Sequence, residues 1–403
     1  MTGKLNWIGV VLLALGASCA PAEVAPGAKV EIEGEVLLDP EESGLLRSML
    51  GMVTHPDGSI YVNTQTQQRL YRSVDQGRSW TLLPVNLSGA PPGQVQHGLY
   101  AGRDGNLWLM HQSPGGKDLF VSVSSDSGIT WKTTAIDFGP FSPGGSEDPY
   151  AFCFNDYNTF FQEADGTIAL GVGLRYPNHR DYQQEDRSRP GFHETLIRSR
   201  DGGQTWGDPT EVHQHVAETG YAVDPNDPLR VLAMTRIQRP PFPGEDVEAM
   251  SKRSGAPPGA GAIYKQGILL ESSDGGRTFR EVPGSLNEYY GHRGTILWTP
   301  GNVVVITHQG GVPGKSAPDG TVLARVSLDG GRTWVNETES GTPSMAESTR
   351  FLLVPNPPGH SFTAPTVELE PDHFLTVYNT RHPGWESRAV KGVFWRVVRS
   401  SGN

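Results

Sequence analysis

Cysteine is almost missing from this 403-residue chain, which holds only Cys19 and Cys153. Two thiols make no disulfide framework, so packing has to hold the core. Basic residues are scarce as well. Against 44 Asp and Glu stand 33 Lys and Arg, a net charge of −11, which argues against nucleic acid or an anionic membrane surface as the main partner. A local basic pocket for an anionic ligand is still compatible with that balance. No His/Cys spacing of a metal centre and no glycine-rich phosphate loop occurs, so no cofactor is expected. The apolar run Ile8–Leu15 is too short to span a membrane. No long segment beyond it shows the 3.6-residue apolar period of a surface helix.

What the chain does have is punctuation: 50 Gly and 32 Pro, suited to many short strands joined by turns. At the N-terminus, Lys4 and the apolar run read as an export signal over residues 1–19. Leu15-Gly16-Ala17-Ser18-Cys19 resembles a bacterial lipoprotein cleavage site with lipid on Cys19. Cleavage near Ala20 or Ala22 without lipid is the alternative. Either route implies an exported protein, in the cell envelope or secreted, with membrane contact only through that lipid. Residues 20–29, rich in Ala, Pro and Gly, read as a tether.

One eight-residue pattern, S-x-D-x-G-x-[ST]-[WF], recurs five times: at Ser73–Trp80, Ser124–Trp131, Ser199–Trp206, Ser272–Phe279 and Ser327–Trp334. Spacings of about 50 to 75 residues imply an array of similar units, none able to bury its apolar face alone. The Asp can accept hydrogen bonds from backbone N–H groups a few residues on, the Gly permits positive φ, and the aromatic ring packs beneath the loop. These are turn staples, so their aspartates are not placed in an active site. The pattern resembles the Asp-box of sialidases and related β-propellers.

Strand pairs precede each copy: Met49–Thr64, His97–Gln112, Asn158–Gly173, Gly220–Arg236 and Arg293–Gln309. A sixth pair, Thr363–Thr380, is followed by one more strand, Gly392–Val398. The early strand Lys29–Leu38 is left to pair with the last unit and close a ring. The expectation is an all-β, six-bladed β-propeller over residues 30–403, with blades of four antiparallel strands. Five or seven blades would follow from a miscounted pair. The long insertions, Thr133–Tyr157, Leu174–His193, Ile237–Ala262, Gln309–Gly320 and Glu337–Phe362, all fall on the face opposite the repeat turns, where binding and chemistry are expected.

The sialidase resemblance implies a site on that face: three arginines on a substrate carboxylate, a Tyr–Glu nucleophile pair and an Asp acid/base. Guanidinium forks suit a carboxylate because their bonds are charge-assisted and often bidentate. Arg47, Arg236 and Arg293 stand where the family's arginines would, and Glu218 opens the same blade as Arg236. Where the family carries its nucleophilic Tyr, this chain has Phe362. Tyr289 or Tyr290, Tyr221 and Tyr378 are the other tyrosines in range, Tyr290 being carried as the candidate. No Asp follows the first strand pair, which leaves Glu147-Asp148 or Asp181 as the acid. His97 and His292 open inner strands; with Tyr290 and Arg293 they also suit a lyase acting on uronic acids. The primary expectation is an exported glycoside hydrolase for a terminal acidic sugar. The alternatives are a non-catalytic carbohydrate- or protein-binding propeller and a uronate polysaccharide lyase.

Overall fold

A computed structural model describes residues 27–38, 50–64, 69–85, 87–89, 95–113, 118–137, 151–153, 159–175, 192–239, 244–249, 264–286, 294–309, 321–337, 341–342, 344–355, 364–381 and 388–400. The first strand is β1 (Ala28–Leu37). Blade I comprises β2 (Leu50–Thr54), β3 (Ile60–Thr64), β4 (Arg69–Ser73) and β5 (Thr81–Leu83). A short strand, β6 (Leu87–Ser88), runs parallel to the edge of blade II, whose own strands are β7 (Val95–Ala101), β8 (Leu107–Gln112), β9 (Leu119–Ser124) and β10 (Trp131–Ala135). Blade III opens with two pieces, β11 (Ala151–Cys153) and β12 (Phe160–Gln162), both paired to β13 (Ile168–Arg175), then β14 (Phe192–Ser199) and β15 (Gly207–Gln214). Blade IV is β16 (Val216–Asp224), β17 (Asp227–Arg239), β18 (Tyr264–Ser272) and β19 (Arg280–Glu281). Blade V is β20 (Gly294–Trp298), β21 (Val304–Gln309), β22 (Val322–Ser327) and β23 (Phe351–Val354). Blade VI runs β24 (Thr366–Glu370), β25 (His373–Arg381) and β26 (Arg388–Arg399), with β1 as its outer strand.

The ring closes. Inner strands touch in the order β2, β7, β12, β16, β20, β24 and back to β2. Strand β1 pairs with β26 from Ala28↔Arg399 to Leu37↔Lys391, which covers the otherwise open edge of β26. Each of the six seams between neighbouring blades holds its own apolar cluster. At the II/III seam, for example, Trp108 and Met110 pack on Phe160 and Leu170. No blade is stable apart from its neighbours, because half of every cluster belongs to the next sheet.

The repeat turns fasten these seams. In the first, Asp75 accepts from the Ser79 backbone N–H at 2.9 Å and the Ser79 hydroxyl at 2.6 Å, while the Ser73 hydroxyl accepts from the Gly77 N–H at 2.8 Å. The same bonds recur around Asp126, Asp201, Asp274 and Asp329. The repeat glycine has φ between 81° and 87° in all five turns. It also abuts the preceding blade, so a Cβ on Gly203 would lie 2.8 Å from the Trp108 ring and one on Gly276 would lie 2.9 Å from Phe161. Only glycine satisfies both demands.

Blade V departs from the sequence expectation. Trp334 makes a single bridge to Thr342, and the outer strand β23 lies inside the segment expected to be a link, Glu337–Phe362. The first-to-second turns do share a face with the repeat turns. Gly330 donates to Asn302 at 2.8 Å, and Gln76 reaches Glu370 at 3.4 Å.

Candidate active site

On the opposite face the inner strands begin, and there blade IV is irregular. Strand β16 pairs Ala217 with Arg236 of β17 and Gly220 with Met234, so Glu218 and Thr219 together oppose Thr235. Glu218 takes φ 66° in this bulge, a conformation costly for a residue with a Cβ. Bulges re-aim side chains, and this one turns Glu218 onto Arg236. The Arg236 Nη2 lies 2.6 Å from the Glu218 Oε2, with the two side chains 7% and 2% exposed. Arg236 is paired with Ala217 on one side and with Gly267 of β18 on the other. A buried carboxylate needs such a counter-charge.

Beneath the pair the strands are tied by hydroxyls. Thr219 bonds Thr235 at 2.7 Å, Thr295 bonds Thr307 at 2.5 Å and Thr366 bonds Thr376 at 2.7 Å, each joining an inner strand to its neighbour in blades IV, V and VI. Thr307 also donates to the Ala364 carbonyl. A second bulge lies on blade II, between His97 and Leu99 of β7. His97 therefore stands at an irregular inner-strand start, as Glu218 does.

Of the residues expected from sequence, the structure brings together Glu218 and Arg236, and it places the His97 backbone on an inner strand. Arg47, Arg293, Tyr290, His292, Asp148, Phe362 and Cys19 lie outside the described residues. Two tyrosines weighed as nucleophiles are committed elsewhere. Tyr221 is 3% exposed and donates to Glu194 of blade III at 3.1 Å. Burial, then the Glu194 carboxyl beside it, pushes its hydroxyl far above the ordinary phenol range. Tyr378 is 1% exposed in the V/VI core and donates to Glu35 of β1 at 3.1 Å. Burial, followed by the Glu35 charge, raises its pKa too. The Glu194–Tyr221 bond spans Gly171, where a Cβ would come within 2.7 Å of the Glu194 carboxylate.

Sequence reasoning missed the threonine pairs. Their signal is a Thr near the start of three inner strands, in Glu218-Thr219-Gly220, Gly294-Thr295-Ile296 and Pro365-Thr366-Val367.

Solved proteins that share this fold include glycosidases of several kinds. The Penicillium chrysogenum α-L-arabinanase, solved with arabinobiose, superposes with a TM-score of 0.56 at 14% identity, over 90% of this chain and 98% of that one. The NanB sialidase of Streptococcus pneumoniae superposes with a TM-score of 0.53 at 9% identity, over 91% of this chain and 70% of that one. The fold is the six-bladed propeller of sialidases and arabinofuranosidases. A Dyadobacter fermentans protein of unknown function shares it with a TM-score of 0.59 at 17% identity, over 92% and 99% of the two chains. No family model matches the sequence. A Paenibacillus xyloglucanase is 26% identical over 162 residues, which span 39% of this chain and 13% of that protein.

Proposed function

We propose that this chain is a glycoside hydrolase, with Glu218 as the carboxylate at its reacting centre. One observation carries the reading. A glutamate is buried against an arginine on a strained bulge, at the inner-strand face of a propeller. Strain of this kind persists where the surrounding structure enforces it, and it collects at working sites. The propeller glycosidases described above support the same chemistry.

Glycoside hydrolysis needs two carboxyl groups, one to protonate the leaving oxygen and one to activate or act as the nucleophile. In this reading Glu218 takes the proton from the attacking hydroxyl, that of Tyr290 or of water. Asp148 gives a proton to the departing sugar oxygen. Arg236, with Arg47 and Arg293, binds the carboxylate of an acidic terminal sugar. His97, His292 and Phe362 border that sugar. The protein works outside the cytoplasm, carried there by its N-terminal signal and held by lipid on Cys19.

The test is hydrolysis of 4-methylumbelliferyl sialoside and α-L-arabinofuranoside by the full chain and its Glu218→Gln variant. Turnover of the sialoside is expected, with kcat lowered by about 10²–10⁴-fold in the variant. Turnover of the arabinofuranoside alone would keep the hydrolase and discard the acidic sugar. Undiminished activity in the variant would remove Glu218 from the chemistry. Binding without turnover would make the propeller a non-catalytic carbohydrate-binding module.

A further inference from the structure

The five repeat turns offer one position five times over. Its sixth residue is Arg78, Ile129, Gln204, Arg277 or Arg332. In each turn the neighbouring glycine abuts the preceding blade, so a cation here must be matched by what that blade presents. Arg277 meets two carboxylates of blade III, Asp208 at 2.7 Å and Glu163 at 3.1 Å. Arg78 shares a hollow of about 250 Å³ with Glu33 and Glu370 of blade VI.

Arg332 instead meets other arginines. It lines a cleft of about 460 Å³ between the fifth turn and blade IV, together with Arg230 of β17 and Arg280 of β19. Glu271 is the one carboxylate among the described residues lining that cleft, and it is shared. Its Oε1 accepts from Arg230 Nε at 2.8 Å and its Oε2 from Arg280 Nη2 at 3.2 Å. The side-chain bond of Arg332 goes to the Asp329 carbonyl, at 3.3 Å. The Asp329 carboxylate is turned into its own loop, accepting from Arg332 N–H, Thr333 N–H and the Thr333 hydroxyl. Arg230 is fixed in place, its guanidinium carbon 4.7 Å above the Trp298 ring.

Three guanidinium groups against one carboxylate leave two positive charges in a chain whose net charge is −11. At the equivalent Arg277 the preceding blade supplies the balance, and at Arg332 it does not. A doubly charged tetrahedral oxyanion supplies both the missing charge and the acceptor geometry that guanidinium forks prefer. We propose that this cleft binds a sulfate or phosphate group. The site is independent of Glu218, being on the face of the repeat turns.

Calorimetric titration of the full chain at constant ionic strength tests it, with sodium sulfate, sodium phosphate, sodium chloride and glucose 6-sulfate as titrants. Saturable binding of sulfate and phosphate, but not chloride, is expected. Arg332→Ala and Arg280→Ala should each weaken it about tenfold or more, whereas Arg78→Ala should leave it unchanged. Tighter binding of glucose 6-sulfate than of inorganic sulfate would identify a sugar ester as the ligand. Equal affinity would identify the free anion. Absence of saturable binding by the wild-type chain overturns the proposal, as does wild-type affinity in both the Arg332 and Arg280 variants. Arg280 is 77% exposed, so its removal leaves the core intact.

Discussion

Glu218 and Arg236 share a place where neither is tolerable alone. With both side chains withdrawn from water, removing one partner strands a charge. Arg236→Met should therefore lower unfolding stability by about 3–5 kcal/mol in a urea titration. Adding Glu218→Gln to the same chain should recover most of the loss. A single variant as stable as wild type would mean that the pair is not a buried charge couple. The partnership was legible in E-T-G-Y…L-A-M-T-R, because an acid at the start of one strand and an arginine at the end of its neighbour share a sheet margin. The bulge was not. The sequence places Glu218 ahead of the strand pair, whereas β16 begins at Val216 and carries the glutamate within it. A bulge leaves no mark when its backbone reversal falls on a glutamate instead of a glycine. The commitments of Tyr221 and Tyr378 were hidden for a related reason. Each is fixed by a glutamate from a strand remote in sequence, Glu194 and Glu35.

At the scale of elements, the repeat turns govern behaviour in acid. Asp75, Asp126 and Asp201 are held at about 2, below the usual 3.8, first by the hydroxyl four residues on and then by that residue's N–H. For Asp274 partial burial pushes upward, but the bonds from Thr278, Ser272 and Arg277 together outweigh it and hold the carboxyl at about 2. A carboxyl whose folded pKa is depressed contributes stability that is complete above its unfolded value and lost as pH falls through the folded one. The melting temperature should therefore drop between about pH 4 and pH 2 as these groups take up protons. Asp201→Ala should be less stable at neutral pH and show a shallower decline in the same window, followed by calorimetry. An unchanged slope would place acid sensitivity elsewhere. These turns were fully readable in advance because every bond in them is local. The outer strand of blade V was not, since Trp334 there ends in a lone bridge and β23 is recruited from further along the chain.

The whole molecule is a ring of mutually dependent sheets, sealed by β1 against β26. A chain beginning at residue 39 should lose the outer strand of blade VI and expose the edge of β26 along with apolar surface near Trp395, which is 0% exposed in the intact protein. It should melt at a lower temperature and self-associate in size-exclusion chromatography. A monomer of undiminished stability would show the seal to be dispensable. The seal also orders events in time. Ala28 and its partner Arg399 are 371 positions apart (399 − 28), so β1 cannot pair until β26 has been made. Joining ends so distant costs a free coil about 5 kcal/mol in closure entropy. The five intervening blades shorten that gap only after they have stacked. Commitment to the native topology thus waits for β26, and until that strand exists β1 has no partner and the outer edge of blade VI stays open.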